Sequence, residues 1–237
     1  IGMNIKKVVA AALILSSMTA VSASAAEFND IKGHWAEDVI KTLAENDKVS
    51  GVGDGKFNPD GTVTRAEFLK MAMDSLGIVG HAYRDGECLD ATNDDWYCYY
   101  LQGALDKGII PKEMIENCNV TKVTKTLAEA TDDKEAVTTD VNVYTGKFDG
   151  DKPITREEMA AITVRCKNYK MRRLTDWDNE RRYPIFSFKD SDEIDEKYIS
   201  DVVEAYNLNY IDGMEDGRFA PKENLTRAQA AVVMNNL

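Results

Sequence analysis

Apolar residues recur at helical spacing in paired stretches along most of the chain. Trp35, Val39, Ile40 and Leu43 share one face of a predicted helix, and Phe68, Met71, Ala72 and Leu76 share one face of the next. The Gly- and Pro-containing stretch between them predicts a turn and loop. The pattern returns twice. Trp96, Tyr100, Leu101 and Ala104 predict a helix, answered later by Met159, Ile162 and Val164. Tyr198, Val202, Val203 and Tyr206 predict another, answered by Ala230, Val233 and Met234.

The repetition reaches individual residues. Phe28-Asn29-Asp30, Tyr83-Arg84-Asp85 and Phe188-Lys189-Asp190 open the three units. They lead to Val63-Thr64-Arg65-Ala66-Glu67, Ile154-Thr155-Arg156-Glu157-Glu158 and Leu225-Thr226-Arg227-Ala228-Gln229. Phe57, Phe148 and Phe219 each stand eight positions before the arginine of their unit. The units run over 26–80, 81–169 and 188–237, with a connector at 170–187. The middle one carries an insertion near 111–144. Trp96 and Arg156 lie 60 positions apart, against 30 for Trp35 and Arg65. Its polar composition fits a helix with a short strand at Val141-Asn142-Val143-Tyr144, or a loop. One helical pair of about 50 residues buries too little surface alone, so the three units are expected to share a core.

The Thr-x-x-Glu/Gln spacing predicts a capping box at each second helix, stapled by Val63, Ile154 or Leu225. The arginines are harder to explain. Arg65, Arg156 and Arg227 fall at the first helical position, where a cation opposes the macrodipole by about 0.3–1 kcal/mol. A planar guanidinium suits a carboxylate or phosphate, and helix-start N–H groups favour anions as well. Either an outside anion or the opening acids Asp30, Asp85 and Asp190 could meet them. Trp35, Trp96 and Tyr198, at the starts of the first helices, offer flat faces for a sugar ring or anchors for the core.

The formal net charge of −12 repels nucleic acid and anionic membranes, so an anionic ligand must find a local cation. Residues 1–25 read as an export signal: Lys6 and Lys7, an apolar run from Val8 to Leu15, then Ala23-Ser24-Ala25. Cleavage leaves 27 basic against 41 acidic side chains and no membrane segment. In an exported chain, Cys88, Cys98, Cys118 and Cys166 are candidates for disulfides bracing the insertion, with three pairings open. They hold no Cys-x-x-Cys pair, which argues against zinc. An EF-hand register over Asn58, Asp60, Gly61 and Glu67 puts Lys56 at its first ligand position, which argues against calcium. No triad or isolated acid pair points to catalysis, and no cofactor is expected. The basic run from Lys170 to Arg182 fits a solvated face or linker.

The Phe-x-Asp opening at Phe28 and Asp30, Trp35, the loop Gly53-Asp54-Gly55 and Thr64-Arg65-Ala66-Glu67 resemble the S-layer homology family. The resemblance implies a mainly α fold: three helix-loop-helix repeats in a pseudo-threefold trimeric helical bundle, with an insertion in the second. It implies a secreted, non-catalytic cell-wall anchor that binds anionic, often pyruvylated, secondary cell-wall polysaccharide. A structural surface-layer or scaffold role, with surface-layer partners, is the alternative. By position, the polymer-binding residues are Arg65, Arg156, Arg227, Trp35, Trp96 and Tyr198, with Asp30, Asp85, Asp190, Asp54 and Gly55 beside them. The chain departs from the pattern at Tyr198 and Gln229, at Glu157, and in the incomplete Gly-Asp-Gly turn of the middle unit.

Overall fold

The computed structural model describes residues 28–81, 89–92, 94–128, 131, 134–172 and 188–237. The export signal and Asp85 lie outside them. The described residues form six α-helices: α1 (Glu37–Glu45), α2 (Arg65–Ser75), α3 (Cys98–Asp106), α4 (Arg156–Lys170), α5 (Ile199–Asn207) and α6 (Arg227–Asn235). They also form a long antiparallel ribbon, β1 (Glu116–Ala128) paired with β2 (Val137–Lys147). The expectation of a mainly α bundle is therefore corrected. The insertion has the strand expected at Val141-Asn142-Val143-Tyr144, as part of β2, and its described residues hold no α-helix beside it. It is a two-stranded sheet with Val120 opposite Tyr144 and Val123 opposite Val141. Of the described helices, none is long and apolar enough to cross a membrane.

The helices α2, α4 and α6 start where the capping boxes place them. Thr64, Thr155 and Thr226 accept from the N–H of Glu67, Glu158 and Gln229, whose side chains return a bond to the cap N–H. Each box satisfies two helix-start donors. The helices of one unit are not each other's main partners. Instead α1 packs on α6, α3 on α2, and α5 on α4. A single pair has too little apolar surface to close a core, and this exchange pools all of it.

Backbone bonds tie the three helix starts into a ring. Arg65 N–H donates to Lys152 O at 2.9 Å, Arg156 N–H to Glu223 O at 3.0 Å, and Arg227 N–H to Gly61 O at 2.9 Å. Short bridges pair Thr64 with Pro153, Thr155 with Asn224, and Thr62 with Thr226. Inside the ring Phe57, Phe148 and Phe219 are fully buried, each contributing roughly 1.5–3 kcal/mol by burial. An aspartate braces each phenylalanine turn. Asp30 accepts from the N–H of Phe57 and Asn58, Asp190 from Phe219 and Ala220, and Asp90 from Phe148 and Asp149. Burial works against the charge on Asp30, but those N–H bonds outweigh it and hold its pKa below the ordinary value.

The ribbon stands off this body, and nearly all its described side chains are exposed or half-buried. At its base Gly146 sits at φ +131°, where an added Cβ would lie 2.6 Å from Glu116 O. Among the described cysteines, no disulfide joins Cys98, Cys118 and Cys166. Cys166 is buried in α4, and burial pushes its thiol pKa well up.

Candidate functional site

The tight turn before α1 presents Trp35 to solvent. His34 N–H donates to Ile31 O at 3.0 Å, and Gly33 takes φ +78°. His34 Nδ1 accepts from Ala36 N–H at 3.1 Å, leaving Nε2 to donate to Asp60 at 3.3 Å. The imidazole so fixed lies 5.3 Å from the indole, centroid to centroid. Trp35 is 66% exposed and Trp96 52%, whereas Tyr198 is 2% exposed. Tyr198 is a core anchor, so the expectation that it offers a sugar platform is corrected. Burial raises its phenol pKa well above the ordinary value.

All three motif arginines turn inward, each 7% exposed. Their forks reach carbonyls of the neighbouring unit, which offsets their placement at a helix start. Arg65 Nη1 donates to Phe148 O at 2.6 Å, Arg156 Nε to Phe219 O at 2.6 Å, and Arg227 Nε to Phe57 O at 2.8 Å. Arg156 Nη2 adds Asp212 O at 2.8 Å, and Arg227 Nη2 adds Ser50 O at 2.9 Å. Two of the guanidiniums also cover the phenylalanine rings: Arg156 lies 5.0 Å from the Phe219 centroid and Arg227 4.9 Å from that of Phe57.

The acids that answer the arginines are the capping glutamates, not the opening aspartates. Glu158 takes Arg65 in a two-pronged ion pair through Nε, at 3.2 Å, and Nη2. Glu67 Oε1 lies 3.6 Å from Arg227 Nη1. The corresponding neighbour of Arg156 is Gln229. Burial lowers the pKa of Arg156, and only the more distant charges of Glu223, Asp190 and Asp212 offset it.

A groove of about 660 Å³ brings Trp35, Arg156 and Gln229 together with the loop Asp212-Gly213-Met214-Glu215-Asp216. Val232, Val233 and Leu225 supply apolar wall. Asp216 is engaged by Arg218 Nε at 2.7 Å. An exposed indole and a guanidinium in one open groove can hold a flat apolar ring that carries an anionic group. Asp54 and Gly55 are exposed and do not line it; the third unit's equivalent loop does. Asp30 and Asp190 are turn braces. The brace of the middle turn is Asp90, which sequence reasoning missed. No fixed spacing marks it: Asp30, Asp90 and Asp190 stand five, six and eight positions before Trp35, Trp96 and Tyr198.

Residues 27–69 and 187–231 match the S-layer homology domain. The chain is 35% identical over 210 residues to an amylopullulanase of Thermoanaerobacterium thermosulfurigenes, covering 89% of this chain and 9% of the relative. It is 34% identical over 228 residues to exoglucanase XynX of Acetivibrio thermocellus, covering 95% and 17%. A cellulosome-anchoring protein of the same organism is 32% identical over 91 residues, covering 37% and 20%. The chain thus spans a fifth or less of each of these relatives.

Proposed function

We propose that the chain is a non-catalytic anchoring module that attaches to the cell wall by binding an anionic secondary cell-wall polysaccharide. The observation that carries this reading is the exposed Trp35 in one groove with Arg156. A sugar ring stacks on the indole, and an acid group on that sugar meets the guanidinium. The acidic chain gives no long-range attraction for such a polymer, so recognition depends on short-range contact. The S-layer homology match supports the reading, as do relatives named for anchoring and for surface layers. The relatives named as glycanases fit it too, because a part common to different enzymes is suited to placing them rather than to their chemistry. Secretion and residence at the cell surface follow from the same reading.

The test is sedimentation with walls of the producing organism, native and acid-stripped of accessory polymer. The chain is expected to pellet with native walls only, and Trp35→Ala is expected to lower that binding at least tenfold without unfolding the protein. Equal pelleting with both wall preparations would sink the reading.

A further inference from the structure

The three arginines are built alike but are not equally available. Arg65 spends all three nitrogens, two of them on Glu158 and one on Phe148 O. Arg227 has Glu67 within 3.6 Å. Arg156 has no carboxylate within ion-pair distance and leaves Nη1 without a hydrogen bond among the described residues. The difference traces to one side chain. A capping glutamate has two oxygens, enough for both the N–H of the capping threonine and the arginine of another unit: Glu67 divides them between Thr64 N–H and Arg227, and Glu158 gives Arg65 both while sharing Oε2 with Thr155 N–H. Gln229 spends its single oxygen on Thr226 N–H at 3.0 Å. Its other polar atom, Nε2, is a donor, and Gln229 lines the groove beside Arg156.

We propose that Gln229 is the residue that selects the ligand site of this chain: it leaves Arg156 unpaired, so that an outside carboxylate takes the place a glutamate fills at Arg65 and Arg227. The inference rests on the anchoring function proposed above and deepens it in two respects. First, the ligand group is a carboxylate, the group that Glu158 and Glu67 present to the equivalent arginines Arg65 and Arg227. Second, the ring of three similar units is electrostatically unequal, with one open arginine and two answered ones.

Gln229→Glu tests this in the full chain. The new carboxylate keeps the capping bond and supplies Arg156 with its missing acid. Binding to native walls is expected to fall at least tenfold while the melting temperature stays equal or rises. Glu67→Gln is the control, because it makes the same chemical exchange at a cap away from the Trp35 groove; it is expected to bind within twofold of the parent. Gln229→Glu binding like the parent, with the native-versus-stripped contrast intact, overturns this inference alone. A lower melting temperature for Gln229→Glu also overturns it, since the added acid then finds no partner. Loss of binding in Glu67→Gln overturns it as well. If the parent itself fails to tell native from stripped walls, the anchoring reading falls and takes this inference with it.

Discussion

Glu158→Gln isolates the charge of the buried pair with Arg65. The two side chains are 7% and 8% exposed. Glutamine keeps the bond to Thr155 N–H, as Gln229 does at Thr226. Arg65 would then retain one acceptor, Phe148 O. Removing one member of a buried ion pair costs about 3–5 kcal/mol. Arg156 already lives beside a glutamine with two carbonyl acceptors, so the lower end, about 3 kcal/mol, is expected here. For a chain of this size that corresponds to a fall of about 6–12 °C in melting temperature. Urea unfolding followed by circular dichroism should show a lower midpoint with an unchanged slope. A double-mutant cycle with Arg65→Met should return most of the loss as coupling. A loss below about 0.5 kcal/mol, the size of an ordinary surface change, would refute the claim that this pair holds the first and middle units together.

Asp201 is buried against Arg165, with Glu204 and Glu113 near by, and burial pushes its pKa up to about 7 from an ordinary 3.8. The folded state therefore binds its proton more tightly, and this group's destabilising share grows as pH rises from about 4 to about 7. Asp201→Asn should melt above the parent at pH 8, with the gap closing toward pH 4 in thermal scans. Gly146→Ala forces a side chain against Glu116 O at a positive φ, at a cost of about 1–3 kcal/mol; hydrogen exchange should quicken in the ribbon and leave the helices protected. Replacing 118–145 with a short Gly-Ser link should change the melting temperature by less than about 4 °C and leave wall pelleting intact, because no ribbon residue lines the Trp35 groove.

The parts of the fold legible in the sequence are those governed by near neighbours. The Thr-x-x-Glu/Gln boxes act within one turn, so Thr64, Thr155 and Thr226 cap where their spacing indicates. Only the Val141–Tyr144 part of the ribbon was legible, because its described side chains form no buried face. Val120, Lys122, Thr124 and Thr126 alternate with Asn119, Thr121, Val123 and Lys125 without separating apolar from polar. Which helix packs on which was equally unreadable, since α1, α3 and α5 carry similar apolar stripes. Gln229 was visible as a departure from the motif, but its meaning depends on Arg156, which comes from another unit. Internal partners for the arginines were expected among the opening aspartates, and the actual ones were missed for the same reason. Their acceptors, the carbonyls of Phe57, Phe148 and Phe219, are main-chain groups that no residue pattern announces. Glu157, another departure, became a buried acid bonded to Lys222 and to Asp195 N–H, which ties α4 to the approach to α5.

None of α2, α4 and α6 can finish its own first turn, because each borrows its acceptor from a neighbour. The closing contact, Arg227 to Phe57 O, spans 170 positions. Among the described residues, this circle of contacts therefore cannot close before α6 is in place. By the same logic, a protease cut in any one of these borrowed loops releases more than its own segment, since every member of the circle is both lender and debtor.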